Sequence, residues 1–506
     1  MELQNPFIIC FTSLLFLFVL FKSINKRLSS SKNSTTKLPP GPWKLPIIGN
    51  LHQFLGPIPH IRLRNLAAKY GPLMHLKLGE VSHIIVTSPE MAKSMIKTHD
   101  LNLSDRPQTI FAKTVSYNGK SIVFSQYGDY WRQLRKICTI ELLTAKRAQS
   151  FRSIREEEVS TLIKTLCESE GSIVNLSEMI SSFTYGITAR AAFGAKNRNQ
   201  QVFMSAMEEI MHLAIAGGPC LADFYPSIRV LEKMSRTKVE YERLHRETDR
   251  ILQDILDDHK NKKRSDINYE AEEDLVDILL RLQQDMDLQH PLTDDNIKAI
   301  IQDIFGAGGE TTSGVVEWGM SEMMKNPKVM EEAQAEVRKV YATKGYVDES
   351  ELHQLIYLKS VIKETLRLHP PAPLSVPRET RETCKINGYE VPAKSTVLFN
   401  LWAIGRDPEY WNEAESFKPE RFLNSSIDYK GTHFEYIPFG VGRRMCPGIS
   451  FAIPNIELLL AKLLYHFDWK LPYGIKHEEF DMTEAFGITV KREHGLHLIP
   501  IIHHHP

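Results

Sequence analysis

The chain predicts a mainly helical fold with a small β portion. Three observations carry this: beyond residue 45, apolar residues recur at helical spacing through most of the length, strand-like runs are few and short, and strands do not alternate with helices as a parallel α/β sheet requires. No internal repeat divides the chain.

Taken in order, the spacing predicts helices over 61–70, 130–137, 148–168, 202–215, 243–261, 295–324, 327–341, 358–368 and 456–465. Short strands are expected over 73–77, 82–86, 395–400 and 496–501. The polar tract 260–274 mixes both charge signs and reads as an exposed loop between helices. Pro454 is harmless in the first turn of a helix and kinks one when placed deeper.

The N-terminus departs from this pattern. Residues 7–21 are apolar apart from Thr12 and Ser13, and Lys22, Lys26 and Arg27 follow. The run is somewhat shorter than the roughly 20 residues that span a bilayer core, and residues near Met1 extend it. A cleaved signal peptide would carry its cations first. Here they come afterwards, which places the N-terminus in the lumen and the body in the cytosol. Residues 1–21 are therefore expected to be a transmembrane anchor. Residues 22–45 form a basic linker and a stiff proline-rich hinge through Leu38-Pro39-Pro40-Gly41-Pro42-Trp43. Residues 46–506 form one large domain.

Composition narrows the function. Lys+Arg and Asp+Glu both total 62 in 506 residues, so no global charge favours nucleic acid. The 6 cysteines are scattered without a C-x-x-C pair, which argues against a disulfide framework or zinc site and fits a reducing compartment.

Chemistry concentrates in Phe439-Gly440-Val441-Gly442-Arg443-Arg444-Met445-Cys446-Pro447-Gly448. Glycines at 442 and 448 allow a sharp turn and close approach to a flat cofactor. Arg444 supplies a cation for a carboxylate. Phe439 can pack beside a sulfur, and backbone N–H groups near Cys446 can tune a thiolate. A lone cysteine in a glycine-rich turn also fits a buried structural residue, so the rest of the chain must agree.

A second stretch, Ala307-Gly308-Gly309-Glu310-Thr311-Thr312, lies inside the helix expected over 295–324. Thr293 or Asn296 can cap that helix, and Asp294 and Asp295 suit its first turn. Adjacent glycines cost roughly 1 kcal/mol each against alanine, an expense that close passage over a flat cofactor would offset. A threonine hydroxyl bonded back to a carbonyl one turn earlier opens the helix, and Glu310 with Thr311 then forms a short proton path. A flexible helix with a solvated kink fits the same residues.

Two further patterns are weaker. Glu364 and Arg367 lie three apart on one helix face ahead of Pro370 and Pro371, with Arg421 downstream in Phe417-Lys418-Pro419-Glu420-Arg421-Phe422. Any charged helix produces E-x-x-R, so the order of the segments matters more than the pattern. In Trp131-Arg132-Gln133-Leu134-Arg135, Trp131 and Arg135 stand one turn apart and suit a carboxylate, or simply an amphipathic helix.

In this order the segments resemble the cytochrome P450 monooxygenases, from Leu38 to the end, and the plant microsomal A-type group in particular. The resemblance implies that Cys446 is the axial thiolate ligand of haem b iron. It implies that Phe439, Arg444, Gly448, Trp131, Arg135 and Arg378 contact the cofactor, and that Glu310 and Thr311 relay protons. Glu364, Arg367 and Arg421 would lock the core. NADPH–cytochrome P450 reductase, O2, a small lipophilic substrate and the endoplasmic reticulum membrane are the implied partners. Stretches such as Glu141-Leu142-Leu143 resemble members that oxidise sesquiterpenoids or diterpenoids, with an alkaloid or phenolic as the alternative. A reductase-independent haem-thiolate isomerase or dehydratase and a non-catalytic haem protein are the rivals from other classes. The apolar residues expected at the pocket are Ile301, Ile304, Phe305, Leu374, Val376, Phe486 and Ile488.

Overall fold

The structure, a computed structural model, describes residues 37–194, 200–216, 220–265, 273–285, 287–485, 487 and 489–504. The expected anchor and most of the linker lie outside these residues, as do Phe486 and Ile488. Among the described residues no helix is long and apolar enough to cross a membrane.

Helices dominate. In chain order the main ones are α1 (Pro59–Tyr70), α2 (Pro89–His99), α3 (Asp129–Ile137), α4 (Ala145–Ser150), α5 (Arg152–Glu168), α6 (Leu176–Phe193), α7 (Gln200–Ala216), α8 (Arg236–Ser265), α9 (Leu275–Gln283), α10 (Asp294–Lys325), α11 (Pro327–Tyr341), α12 (Ile356–Leu368) and α13 (Ile449–His466). The strands used below are β1 (Leu73–Leu78), β2 (Val81–Val86), β3 (Val174–Asn175), β4 (Arg378–Glu379), β5 (Thr396–Phe399), β6 (Phe467–Lys470), β7 (Glu484–Ala485), β8 (Lys491–Arg492) and β9 (His497–Ile502).

The main sheet runs β1-β2-β5-β4, with β1 antiparallel to β2, β2 parallel to β5 and β5 antiparallel to β4. Its apolar face packs against α2, through residues such as Val86, Ala92 and Phe399. A second sheet runs β3-β9-β6, and β7 pairs with β8. The large core lies among α5, α6, α9, α10, α11, α12 and α13.

The long helix α10 is the axis of that core, buried along most of its length. Its start follows from the sequence. The Thr293 hydroxyl accepts from the Asn296 N–H while the Asn296 side chain accepts from the Thr293 N–H, so each satisfies an otherwise unpaired donor. Asp294 and Asp295 occupy the first turn, where the helix dipole favours negative charge.

Three expectations change. The single helix over 148–168 is two, α4 and α5, because Phe151 leaves helical geometry between them. The tract 260–274 is loop only in part: α8 runs on to Ser265, and Asp274 is buried as the cap of α9. The helix after the cysteine loop begins at Ile449, so Pro454 falls in its second turn. A proline there has no N–H to give the carbonyl four residues back, at Ser450.

Candidate functional site

The cysteine loop is held from both sides. Cys446 donates its backbone N–H to the Phe439 carbonyl at 2.9 Å, and the Gly448 N–H donates to Cys446 Sγ at 3.3 Å. Gly442 has φ +68°, and a Cβ there would lie 2.6 Å from Asp100 Oδ1, so only glycine fits. Gly448 is different: its φ is −89°, and a Cβ would sit 3.8 Å from Cys446 Sγ, in ordinary contact. The turn therefore needs Gly442 and Gly440 (φ +70°), not Gly448. Phe439 packs edge-on against Tyr429, with ring centroids 5.3 Å apart.

Cys446 is exposed by area, yet burial pushes its thiol up, an effect opposed by the Gly448 N–H and by Arg135. A sulfur both deep and accessible borders a hollow inside the protein.

Guanidinium groups surround the loop. Arg444 is buried, donating from Nε to Ser104 O at 2.8 Å and from Nη2 to Ser125 O at 2.6 Å, and it lies 4.3 Å from the Trp131 ring centroid. Arg378 donates to the Val441 carbonyl and, at 3.2 Å, to Asp100 Oδ1. Arg135 donates to Met445 O at 2.7 Å. Arg106, which sequence reasoning missed, donates from Nε to Val123 O at 2.9 Å and from Nη1 to Val376 O and Pro377 O, both at 2.7 Å. Trp131 differs from expectation, because its indole N–H donates to Ile122 O at 3.0 Å and so orders the same loop.

The charge at this place is unbalanced. Burial, then the neighbouring Arg378, pushes the Arg444 guanidinium down to about 9, and burial with Arg444 and Arg378 pushes Arg106 well below its ordinary value. Asp100 and Asp105 are the acids close by. Buried cations of this kind stand only with anionic partners. The two propionates of a haem beside a cysteine sulfur would supply them, so these residues fit that group.

On the other side stands α10. In its otherwise buried middle, Ala307 is exposed and Gly308 and Thr311 are half-buried, so one face borders a hollow. An ideal Cβ on Gly308 would meet Phe451 of α13, next to the cysteine loop, at 3.9 Å. Thr311 Oγ1 donates to Ala307 O at 2.6 Å, the back-bond expected. Gly309 is needed for helix packing, because a Cβ there would lie 2.4 Å from the Tyr185 ring and keep α6 from seating against α10, whereas one on Gly308, on the face bordering the hollow, would meet Thr188 Oγ1 at 3.4 Å, in ordinary contact.

Glu310 and Thr311 are not brought together. Glu310 is buried and turns to the C-terminal loop, where Oε1 accepts from Thr489 Oγ1 at 2.7 Å and lies 3.0 Å from Lys491 Nζ. Of the apolar pocket candidates, Phe305 packs among Tyr185, Phe193 and Phe203, and Leu374 packs with Leu51 and Leu63, so both are core. Ile301 is buried, Ile304 nearly so, and Val376 is half-buried beside Arg106.

The sequence pattern of the family described as Cytochrome P450 matches residues 39–498. The chain belongs to the cytochrome P450 family. It is 65% identical to cytochrome P450 71D10 of Glycine max over 99% of both chains. It is 54% identical to tabersonine 6,7-epoxidase isoform 1 of Catharanthus roseus, over 96% of each, and 53% to desmethyl-deoxy-podophyllotoxin synthase of Sinopodophyllum hexandrum, over 97% of each. Its fold matches a zebra fish cytochrome P450 solved with abiraterone, at TM-score 0.75 and 24% identity, covering 88% of this chain and 99% of that one. The plant A-type resemblance and the monooxygenase class hold with this membership. Members of the family carry haem on a cysteine thiolate and use O2 with a redox partner.

In this P450 the E-x-x-R pair is built as expected. Arg367 Nε and Nη2 donate to Glu364 Oε2 and Oε1 at 2.7 and 2.8 Å, and Arg421 Nε donates to Glu364 Oε1 at 3.1 Å. Arg106 carried a signal only in hindsight. It sits between Asp105 and Pro107 in a polar stretch of ordinary loop composition, and its partners come from further along the chain, at Val123, Val376 and Pro377.

Proposed function

We propose that Cys446 is the axial thiolate of this P450 and that Arg106, Arg135, Arg378 and Arg444 form the cradle for the haem carboxylates. The observation that carries this is the buried, under-compensated guanidinium cluster around a loop whose sulfur faces a hollow. A haem held by thiolate supplies activation of O2 for insertion into a C–H bond or across a double bond. The protein contributes the rest. The Gly448 N–H and Arg135 temper the sulfur, the arginines orient the carboxylates, and Thr311 holds a hydroxyl proton at the exposed face of α10.

The substrate in this reading is a small lipophilic plant metabolite. Relatives named for tabersonine oxidation and podophyllotoxin synthesis favour the alkaloid-or-phenolic class over a sesquiterpenoid or diterpenoid. Electrons come from NADPH through a reductase, docking at the cysteine side where Arg132, Lys136 and Arg443 are exposed. The site of action is the endoplasmic reticulum membrane. Its support is an exposed apolar set, Trp43, Ile47 and Ile48 with Leu221, Ile228 and Met234, the two parts linked where Tyr225 donates to Ile47 O.

The test is microsomal expression with reductase and NADPH, against a panel of alkaloids, phenolics and terpenoids read by mass spectrometry. Cys446→Ala should abolish both product and the carbon monoxide difference spectrum characteristic of a thiolate-bound haem. An unchanged spectrum in that variant would remove Cys446 from the site.

A further inference from the structure

The loop that packs on Arg444 has one buried polar group left over. Across residues 121–127 most donors and acceptors have a partner, as buried backbone requires. Ser121 O accepts from the Ser125 N–H and Ser121 Oγ from the Phe124 N–H, both at 3.1 Å. Ile122 O takes the Trp131 indole, the Val123 N–H donates to Asp303 Oδ2 at 3.0 Å, and Phe124 O accepts from Gln108 at 3.2 Å. Gln126 Nε2 donates to Arg106 O at 2.7 Å, and the Tyr127 N–H to Asp105 Oδ1 at 2.9 Å. Ser125 is different. It is 2% exposed, and its Oγ has no hydrogen-bond partner. A buried hydroxyl without a partner is costly and rare.

Its neighbours say what it is for. Arg444 Nη2 grips the Ser125 carbonyl at 2.6 Å, so the hydroxyl of the same residue stands beside that guanidinium. Arg444 also donates to Ser104 O at 2.8 Å and to Ile122 O at 3.3 Å, which leaves part of its fork of N–H donors uncommitted. Arg106 spends Nε and Nη1 on Val123, Val376 and Pro377. We propose that the Ser125 hydroxyl is a binding group for the haem, donating to the same carboxylate that Arg444 and Arg106 hold. The proposal rests on the Cys446 reading and deepens it, because it assigns one cofactor carboxylate to a named set of donors. A neutral donor suits the place: Arg106, Arg378 and Arg444 already repel one another there, and a hydroxyl adds hold on an anion without adding charge.

The experiment compares Ser125→Ala, which removes the donor, with Ser125→Thr, which keeps it, both as haem-loaded enzyme. The first readout is the rate of haem loss, followed by transfer to apomyoglobin. The second is the propionate bending band of the bound haem in resonance Raman spectra, which needs no turnover. Alanine is expected to speed haem loss roughly tenfold, as loss of one hydrogen bond to a charged group implies, and to shift the band. Threonine is expected to match the parent in both. An unchanged rate and band in Ser125→Ala overturns the proposal, because the hydroxyl is then only hydrated. Faster loss with an unmoved band also overturns it, because the side chain then acts through packing alone, and so does a threonine variant that behaves as alanine does. Absence of the carbon monoxide spectrum in the unsubstituted protein would instead bring down the reading of Cys446, so the two failures are distinguishable.

Discussion

Arg367 and Glu364 show what a single side chain contributes here. Both are fully buried, and Arg367 also donates to Gly405 O and Ala414 O at 2.6 and 2.7 Å, stitching α12 to the loops that follow β5. Such a pair adds little over an apolar one, but removing one partner leaves a charge without compensation. Arg367→Met should therefore lower the unfolding free energy by about 3–5 kcal/mol. Urea titration followed by tryptophan fluorescence measures it. Arg421→Met, at the partly open end of the triad, should cost clearly less. At this scale the sequence is legible where chemistry is local. Cys446 stands in a loop whose neighbours, Gly442 and Arg444, do what their residue types suggest. It is illegible where the partner is distant: Glu310 is turned by Thr489 and Lys491, and the indole of Trp131 is taken by Ile122 O.

At the scale of elements the contact between α6 and α10 decides more than helix propensity does. Gly309→Ala on an isolated helix would gain roughly 1 kcal/mol. Here the new methyl would lie 2.4 Å from the Tyr185 ring, against a ring that also packs on Phe305, and overpacking of this kind costs about 1–3 kcal/mol. The variant is expected to be less stable than the parent in thermal unfolding, and the same substitution made in a Tyr185→Val background, itself destabilised by loss of the buried ring, should cost much less. A more stable single variant would show that α6 yields freely. The same contact explains why α6 was not read from the sequence. Its buried residues, among them Thr184, Tyr185, Thr188 and Ala189, occupy most of the circumference, so no amphipathic stripe appears. In contrast α11, amphipathic and opened by Pro327, has the bounds its spacing predicts. The fold class and most long helices were legible for that reason. The break at Phe151 was not, because the apolar spacing of α4 and α5 runs through it.

For the whole molecule, the buried histidines set the response to acid. Burial lowers His75 of β1 to about 3, with Lys44 and Lys77 adding to it. It lowers His83 of β2 to about 4, against the opposing bond to Val81 O, and His466 at the end of α13 to about 4, against the bond to His504 O. An unfolded chain takes up a proton on each near pH 6.5. Between that value and about 4 the unfolded state therefore binds more protons, and stability falls as the pH falls. Each histidine contributes roughly 1.4 kcal/mol per pH unit over this window. Moving from pH 6.5 to 5, with the slope building as the unfolded histidines protonate, then removes about 5 kcal/mol, comparable with the 5–15 kcal/mol that holds a typical domain. His259 acts in the opposite sense. Burial lowers it, but the bond to Asp274 and that carboxylate's charge raise it further, so its contribution is present below pH 6.5 and fades as the pH rises through its folded value. Stability should therefore peak close to neutral pH, falling steeply on the acid side and gently on the alkaline side. Thermal midpoints from pH 4.5 to 9 test this. His83→Gln should flatten the acid limb by about a third, because the amide keeps a donor for Val81 O without a proton to gain. An acid limb as steep as in the parent would place the sensitivity in the carboxylates instead, foremost Glu484, which burial raises and the bonds from His369 and His60 hold low.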